Sequence, residues 1–280
     1  MGRGQGCIIS ADHKKGMVIC MNLQVLISAV GEDVKTLAQR MNLESDAIII
    51  NQTDHFGYET YQYNGRCIQC YEFEEKGVGL SRNNALLRAN ADIVLFSDED
   101  IVYDKGYEKK VLDAFVAHPE ADFLLFNMRV GKQRATYDTK NYHRVHLWNS
   151  GRYPTYSFAI RRAKIHASRI TFSLLFGGGA LYSNGEDSLF LRDCLRYGFR
   201  VYATDVELGA ERERESTWFR GYTNKFFVDR GVLYHFLYGK LAYPMAVRFI
   251  MAHGKIMCQE ISRKKALALM KKGISLASQK

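Results

Sequence analysis

Hydrophobic and polar positions along the chain alternate between two periodicities. An apolar run from Leu23 ends at Gly31, and apolar residues at 34, 37, 38 and 41 then recur with helical spacing. The same patterns predict strands at 46–51, 67–73, 93–96, 122–130 and 200–203, and helices at 81–91 and 111–115. Because strands and helices alternate, the sequence predicts an α/β fold, a mainly parallel central sheet with helices on both faces. Ligands bind such sheets beyond the carboxyl ends of the strands, so residues that end strands are the first candidates for a site.

Composition limits the size of the core and the class of partner. With 280 residues, of which 47% are hydrophobic, the chain can bury one large core, with room for an elaborated C-terminal part. Its net charge of +9 suits nucleic acid, anionic lipid or a negatively charged substrate. We expect no nucleic-acid partner because no RRM, KH or zinc-finger pattern is present. No apolar stretch reaches the roughly 20 residues of a spanning helix, which predicts a soluble or peripheral protein.

Two of the six cysteines, Cys67 and Cys70, have C-x-x-C spacing. They lie in a predicted strand, where residues three apart point to opposite faces and chelate a metal poorly. We therefore expect core or edge-strand thiols rather than a zinc or redox site, and a reducing, cytoplasmic environment.

The first candidate motif is the acidic sequence Asp98-Glu99-Asp100, which directly follows the apolar strand 93–96. Mg²⁺ and Mn²⁺ prefer oxygen ligands and are often held by one or two carboxylates together with substrate phosphates. Asp98 and Asp100 are candidate metal ligands for this reason. A solvated acidic turn is the alternative.

The second motif is Gly185-Glu186-Asp187, which begins a predicted helix ending near Gly198. A carboxylate at the mouth of a site can deprotonate an attacking hydroxyl, while acids in a first helical turn are also ordinary helix chemistry. Three consecutive glycines, 177–179, precede it and permit close backbone approach, unless they form a plain loop.

The third motif, 76–84, is a glycine-containing turn that leads into a helix and contains Arg82. Helix N-termini and arginine suit phosphate oxygens. The spacing matches neither a P-loop nor a dinucleotide fingerprint.

In this order the three motifs resemble family 2 glycosyltransferases of the GT-A fold, over about Leu23 to Tyr202. The resemblance implies that Asp98 and Asp100 hold Mn²⁺ or Mg²⁺ on a nucleotide diphosphate and that Arg82 binds the nucleotide. It further implies that Asp187 is the catalytic base, with Glu186 beside it. The remaining nucleotide-binding candidates that the resemblance implies are Ala29, Asn51 and Asp54, with Asp98 also facing the nucleotide. Many members end the second strand with paired acids, whereas this chain has Asn51-Gln52-Thr53-Asp54, so Asp54 is expected to replace the usual base contact unless the nucleotide is held differently.

The resemblance also implies a function of the bacterial surface-polysaccharide type. We expect an inverting, metal-dependent hexosyltransferase that uses a nucleotide-sugar donor, with UDP-sugar favoured, and a saccharide or lipid-linked saccharide acceptor. The expected organisation is a disordered leader at 1–20, a GT-A catalytic domain at 21–225 and a helical basic extension at 226–280. The extension suits an anionic membrane surface on the inner face of the cell membrane, or else a packed helix pair with a lysine-rich solvent face.

Two other functional classes remain as alternatives. A sugar nucleotidyltransferase has a related sheet, but it carries a G-x-G-T-R signature after its first strand, where this chain has Ser28-Ala29-Val30-Gly31-Glu32. A non-catalytic carbohydrate-binding or assembly subunit is the other alternative.

Additional candidates lie outside the three motifs. Basic residues that could close over the diphosphate, or else remain solvated, are Arg212, Arg214, Arg220 and His235. Aromatic residues that could stack on sugars, or else pack in the core, are Trp148, Tyr153, Tyr156 and Trp218.

Overall fold

A computed structural model describes residues 8–11, 18–131, 135–212 and 221–279. Its strands are β1 (Ile8–Ala11), β2 (Val18–Met21), β3 (Leu23–Val30), β4 (Asp46–Gln52), β5 (Gly57–Tyr63), β6 (Arg66–Phe73), β7 (Ile93–Asp98), β8 (Ile101–Tyr103), β9 (Phe123–Arg129), β10 (His143–Arg144), β11 (Phe158–Arg161) and β12 (Val201–Glu211). Its α-helices are α1 (Val34–Arg40), α2 (Val78–Arg88), α3 (Tyr107–Ala117), α4 (Arg162–Ser168), α5 (Glu186–Tyr197), α6 (Asn224–Tyr238), α7 (Ala242–Met257) and α8 (Arg263–Ser278).

One ten-stranded sheet forms the centre of the molecule, in the order β10-β12-β9-β11-β7-β3-β4-β6-β5, with β8 paired to β12. Strands β3, β4, β6, β7, β9 and β12 run in one direction, and β5, β8, β10 and β11 run in the other. The predicted α/β fold with a mainly parallel sheet is confirmed. Strands β3, β4, β6 and β7 are adjacent and parallel, so their carboxyl ends form one continuous edge.

Both faces of the sheet are covered by helices. Val25 and Ile27 of β3 pack with residues of α1 and α3, whereas Leu26, between them, packs with residues of α2, α4 and α5. Successive side chains of a strand point to opposite faces, and a strand that is buried on both faces is apolar throughout. This explains the largely apolar runs that predicted β3, β4 and β7.

The structure contains elements that the sequence pattern did not predict, among them β5, β8, β10, β11 and α4, and two predicted elements have other bounds. The pattern did not predict β5, because this edge strand alternates partly buried and exposed residues and is rich in polar side chains. Helix α2 begins at Val78, three residues before the predicted start at Ser81. The strand predicted at 200–203 continues to Glu211, because β12 still pairs with β8 and β9 there.

The C-terminal helical region is present as predicted and consists of α6, α7 and α8, which share an apolar core. Helices α6 and α8 touch backbone to backbone: a Cβ on Gly231 would lie 2.1 Å from the Met270 carbonyl oxygen, and one on Gly273 would lie 2.1 Å from that of Val228. Toward the sheet, Leu233 of α6 packs against Gly185, just before α5. The bundle therefore contacts the start of α5 directly.

The N-terminal prediction, a disordered leader at 1–20, lies largely outside the described residues. Within that segment, β1 pairs antiparallel with β2. In the described ranges, the structure has no helix that is both long and apolar enough to cross a membrane.

Candidate active site

The candidate site lies at the carboxyl edge of β7, β3 and β4. In the sheet register, Ser28 of β3 lies beside Asp98 of β7 on one side and Ile50 of β4 on the other. The next pair, Ala29 and Asn51, lies one residue further toward the edge. The parallel register thus brings together residues that are far apart in the sequence.

Arg82 joins two of the predicted motifs. Its Nη2 donates to Asp98 Oδ1 at 3.0 Å, and its Nη1 donates to Glu186 Oε1 at 2.9 Å. The residue is only 5% exposed, and its guanidinium lies over the Phe172 ring at 5.5 Å from the centroid. Burial lowers the pKa of Arg82, but the charges of Asp98 and Glu186 more than offset this and raise it. Arg82 is therefore a fully charged group between two acids.

One of the three guanidinium nitrogens of Arg82 makes no hydrogen bond to the described residues. Its Nε is buried and has no hydrogen-bond partner in the part of the chain that the structure describes. Helix α2 is held in place near its start by the Ser81 hydroxyl, which donates to the Ser28 hydroxyl at 3.0 Å. These contacts attach the arginine-bearing turn to the central strand.

The acidic side chains of the turn between β7 and β8 differ in their exposure to solvent. The Asp98 side chain is 28% exposed, whereas Asp100 is 5% exposed and its carbonyl oxygen accepts from the Arg212 backbone N–H at 2.8 Å. Glu99 is also buried. The described ranges contain no group of three or more His, Cys, Asp or Glu residues that could hold a metal alone. A cation that takes part of its ligands from a diphosphate needs only one or two carboxylates, which Asp98 and Asp100 would supply.

Glu186 and Asp187 form the first turn of α5. The Glu186 Oε2 accepts from the Gly185 backbone N–H at 3.1 Å, and Asp187 Oδ1 accepts from the Ser188 N–H at 2.6 Å. Burial and the neighbouring Glu186 charge raise the pKa of Asp187 to about 6, although the Ser188 hydrogen bond and the charges of Arg82 and Arg230 act in the opposite direction. Such a carboxyl is ionised at neutral pH yet more basic than an ordinary aspartate.

The glycine-rich loop before α5 makes the close backbone approach that its composition suggests. A Cβ on Gly177, whose φ is +108°, would lie 2.6 Å from the Val78 side chain and 2.9 Å from Glu186 Cδ. The loop therefore touches both the start of α2 and the Glu186 carboxylate. A cavity of about 200 Å³ beside this loop is lined in part by Phe172, Phe176 and Phe236.

The predicted nucleotide-binding residues differ in how they are placed. Ala29 is buried in β3. Asn51 is engaged with the backbone of Glu32, because its Oδ1 accepts from the Glu32 N–H at 3.1 Å and its Nδ2 donates to the Glu32 carbonyl at 2.9 Å. The Asp54 side chain is fully exposed and pairs with His55.

Glu72 is a site candidate that the sequence analysis did not single out. It lies in β6 opposite Asn51, accepts from Asn51 Nδ2 at 3.4 Å and lies 3.1 Å from His55 Nε2. Its place near the end of a parallel strand is the signal by which it could have been found. Arg230 of α6 and Phe172 had no such signal, because only tertiary packing brings them to Asp187 and Arg82.

The additional candidates are scattered. Arg214, Arg220 and Trp218 lie outside the described residues. His235 on α6 lies 3.2 Å from the Ser278 hydroxyl of α8. Tyr153 is buried in the core on one face of the sheet, and Tyr156 packs against the core on the other face, as the alternative interpretation expects. Trp148 is 81% exposed and stacks on His146.

The sheet and its strand-end acids define a GT-A fold, and comparisons with known proteins agree. The S. aureus TarS 1-349 structure in complex with UDP-GlcNAc superimposes with a TM-score of 0.60 at 17% identity, over 86% of this chain and 74% of that one. The longer S. aureus TarS structure also superimposes with a TM-score of 0.60, at 16% identity, over 91% of this chain and 49% of that one. No curated protein sequence matches significantly. A model of glycosyl transferase family 2 matches residues 33–183, more than half of the chain. The chain belongs to glycosyl transferase family 2, which confirms the resemblance in its motifs.

Proposed function

We propose that this glycosyltransferase moves a sugar, with inversion, from a nucleotide-diphosphate donor to a saccharide acceptor. The observation that supports it best is the double hydrogen bond of Arg82 to Asp98 and Glu186, beside Asp187. These hydrogen bonds connect the three predicted motifs, to which we assign phosphate binding, metal binding and the catalytic base. Family membership also favours a glycosyltransferase over the nucleotidyltransferase alternative.

In this proposal Asp187 accepts the proton of the acceptor hydroxyl as that oxygen attacks the sugar carbon. The raised pKa of Asp187, about 6, makes it a stronger base than a solvated aspartate while leaving it ionised at neutral pH. Arg82 holds Glu186 in place and contributes positive charge near the leaving diphosphate.

Asp98 and Asp100 would hold a divalent cation, Mn²⁺ or Mg²⁺, together with the diphosphate. When bound, such a cation offsets the negative charge that develops on the leaving group. The exposed edge of Asp98 supports its part in this arrangement.

The donor we favour is a UDP-sugar carrying a hexose. A bound UDP-GlcNAc in the TarS structure, which has the same fold, supports this choice of nucleotide. Because Asn51 is engaged with Glu32, the nucleotide base would be contacted by Asp54 or by Glu72.

The acceptor we favour is a lipid-linked saccharide of bacterial surface-polysaccharide synthesis, used at the cytoplasmic side of the cell membrane. The basic character of the C-terminal helices supports this location, because lipid-linked substrates lie at an anionic surface.

The test is nucleotide release by the purified chain from a panel of UDP-, GDP- and dTDP-sugars, with Mn²⁺, Mg²⁺ or EDTA. We expect metal-dependent release from one donor that is lost in Asp98→Asn and Asp187→Asn. The matched control is Asp113→Asn. Asp113 lies on α3 in an exposed ion pair with Lys109, so this variant should remain active. No release and no donor binding by calorimetry across the whole panel would overturn the proposal in favour of a non-catalytic subunit.

A further inference from the structure

The net positive charge of the chain is concentrated in its C-terminal helices. Residues 239–280 contain nine Lys or Arg residues and one acid, Glu260, so this segment carries eight of the nine net positive charges of the chain. The GT-A part is close to neutral by comparison. The candidate site residues all lie before residue 239, so the site does not account for this charge.

Helix α7 presents apolar and basic side chains together on its outer face. Tyr243, Val247 and Met251 follow one another at intervals of four residues, which places them on one stripe of the helix. Met251 is 75% exposed and Tyr243 is 44% exposed. Arg248 and Lys255 are exposed next to this stripe.

Helix α8 extends the same surface. Its buried side is formed by Ala266, Met270, Gly273 and Ala277, and Lys264 and Lys271, seven residues apart, lie on the opposite side. The Lys271 Nζ lies 6.0 Å from the centroid of the Tyr243 ring, and the Arg263 side chain lies against Gly254. The two helices are therefore antiparallel neighbours, and their outer stripes form one surface, which we call the α7/α8 face.

The composition of the α7/α8 face suits a lipid bilayer better than water alone. Solvation of a lysine-rich face does not explain the exposed methionine and tyrosine in its centre. Basic side chains around exposed apolar ones are the arrangement by which interfacial helices bind anionic bilayers, with the apolar groups among the acyl chains and the ammonium groups at the lipid phosphates.

We propose that the α7/α8 face docks on an anionic lipid surface, with Met251 and Tyr243 inserted and Arg248, Lys255, Lys264 and Lys271 at the headgroups. This proposal rests on the proposed function in one respect: docking would bring the site close to a lipid-linked acceptor. Docking itself needs neither donor nor turnover.

The experiment is co-sedimentation of the full chain with two kinds of vesicle, phosphatidylcholine alone and phosphatidylcholine with phosphatidylglycerol at a ratio of about two to one. We expect binding to the anionic vesicles that weakens at high salt. Changing Arg248, Lys255, Lys264 and Lys271 together to Gln should reduce the partition coefficient by roughly 100-fold or more, because each basic residue contributes roughly fivefold.

A matched control removes the same charge elsewhere. Lys35, Lys105, Lys109 and Lys140 are exposed outside the C-terminal helices, and their combined change to Gln should leave vesicle binding within a few-fold of the parent. Met251→Gln should weaken the binding that persists at high salt. Circular dichroism on each variant verifies that the helices are intact.

The proposal would be overturned by no binding to the anionic vesicles, or by an equal loss of binding in the control variant. Tighter binding to a single-stranded oligonucleotide through the same four residues would also overturn it, in favour of a nucleic-acid partner. Donor binding, measured separately by calorimetry, reports on the proposed function and does not depend on any of these outcomes.

Discussion

Arg82 of α2 and Glu186 of α5 lie 104 positions apart in the sequence, and a hydrogen bond of 2.9 Å joins them. The same guanidinium binds Asp98, so one buried cation holds the ends of three elements together. Arg82 therefore connects three elements of the fold, and in the proposed function it also binds the donor; substitution can separate these two roles.

Removal of the Arg82 charge should destabilise the fold. Arg82→Met leaves Asp98 and Glu186 without their buried partner, which typically costs roughly 3–5 kcal/mol in the free energy of unfolding. Arg82→Lys keeps the charge but not the two-pronged geometry, so we expect a folded protein with weaker donor binding. Urea unfolding and donor calorimetry measure the two effects. Arg88→Lys, on the same helix and hydrogen-bonded to the Asn84 carbonyl, is the control; equal effects at both positions would argue against a special role for Arg82.

Asp187→Asn should abolish most of the transfer activity while leaving donor binding nearly intact. Loss of a general base typically reduces kcat by roughly 10²- to 10⁴-fold. Steady-state kinetics with the donor that the release panel identifies give this value. Asp193→Asn, two turns along α5 and paired with Arg192, should retain activity. A normal kcat in Asp187→Asn would assign the base elsewhere.

Activity should fall as the pH is lowered through about 6. The carboxyl of Asp187 has a pKa of about 6, and only its ionised form accepts a proton, so the active fraction is full above this value and is lost below it. A profile of kcat against pH, with stability checked at each point, tests this expectation. An acid limb near pH 4 would mean that Asp187 is solvated or is not the base.

Arg230 should control the position of that acid limb. Its positive charge lowers the pKa of Asp187, and its guanidinium stacks between Phe226 and Phe249, at 5.3 and 5.4 Å from the ring centroids. Arg230→Gln should therefore move the limb to higher pH, whereas Arg230→Lys should keep it near the parent value. If both variants only lowered activity, with the limb unmoved, the role of Arg230 would be structural.

Gly231→Ala should weaken the C-terminal bundle although alanine is the better helix former. The added methyl would collide with the Met270 carbonyl, and overpacking of this kind costs about 1–3 kcal/mol. Gly254→Ala is the matched control, because its nearest neighbours at 3.1–3.3 Å are atoms of the flexible Arg263 side chain. Thermal unfolding should separate the two variants; equal melting temperatures would contradict the close packing of α6 and α8.

The sequence predicted those parts of the site that depend on local pattern. An apolar strand that runs into Asp98 is visible in the sequence, and the parallel-strand rule then places Asp98 at the ligand edge of the sheet. Likewise, a glycine before two acids and an amphipathic run predicts the start of α5. Each of these inferences needs only neighbouring residues.

Contacts that depend on tertiary packing could not be predicted in this way. Nothing in the sequence near Arg230 indicates that α6 brings it to Asp187, and nothing near Asn51 indicates that its amide is engaged with Glu32. Strand β5 was missed because an edge strand needs little burial and so lacks an apolar signal. The start of α2 was misplaced because Gly77, with φ at +126°, turns the chain into the helix without a capping side chain.

The paired glycines of α6 and α8 have one consequence beyond stability. Helix α8 contacts the backbone of α6, and Leu233 of α6 packs directly on Gly185, the residue before Glu186. Helix α8 and the start of α5 are therefore connected by close contacts, with no flexible segment between them. The angle between the outer surface of the bundle and the mouth of the site is thus built into the fold. A surface that binds α8 would therefore also fix the orientation of α5, which begins with Glu186 and Asp187.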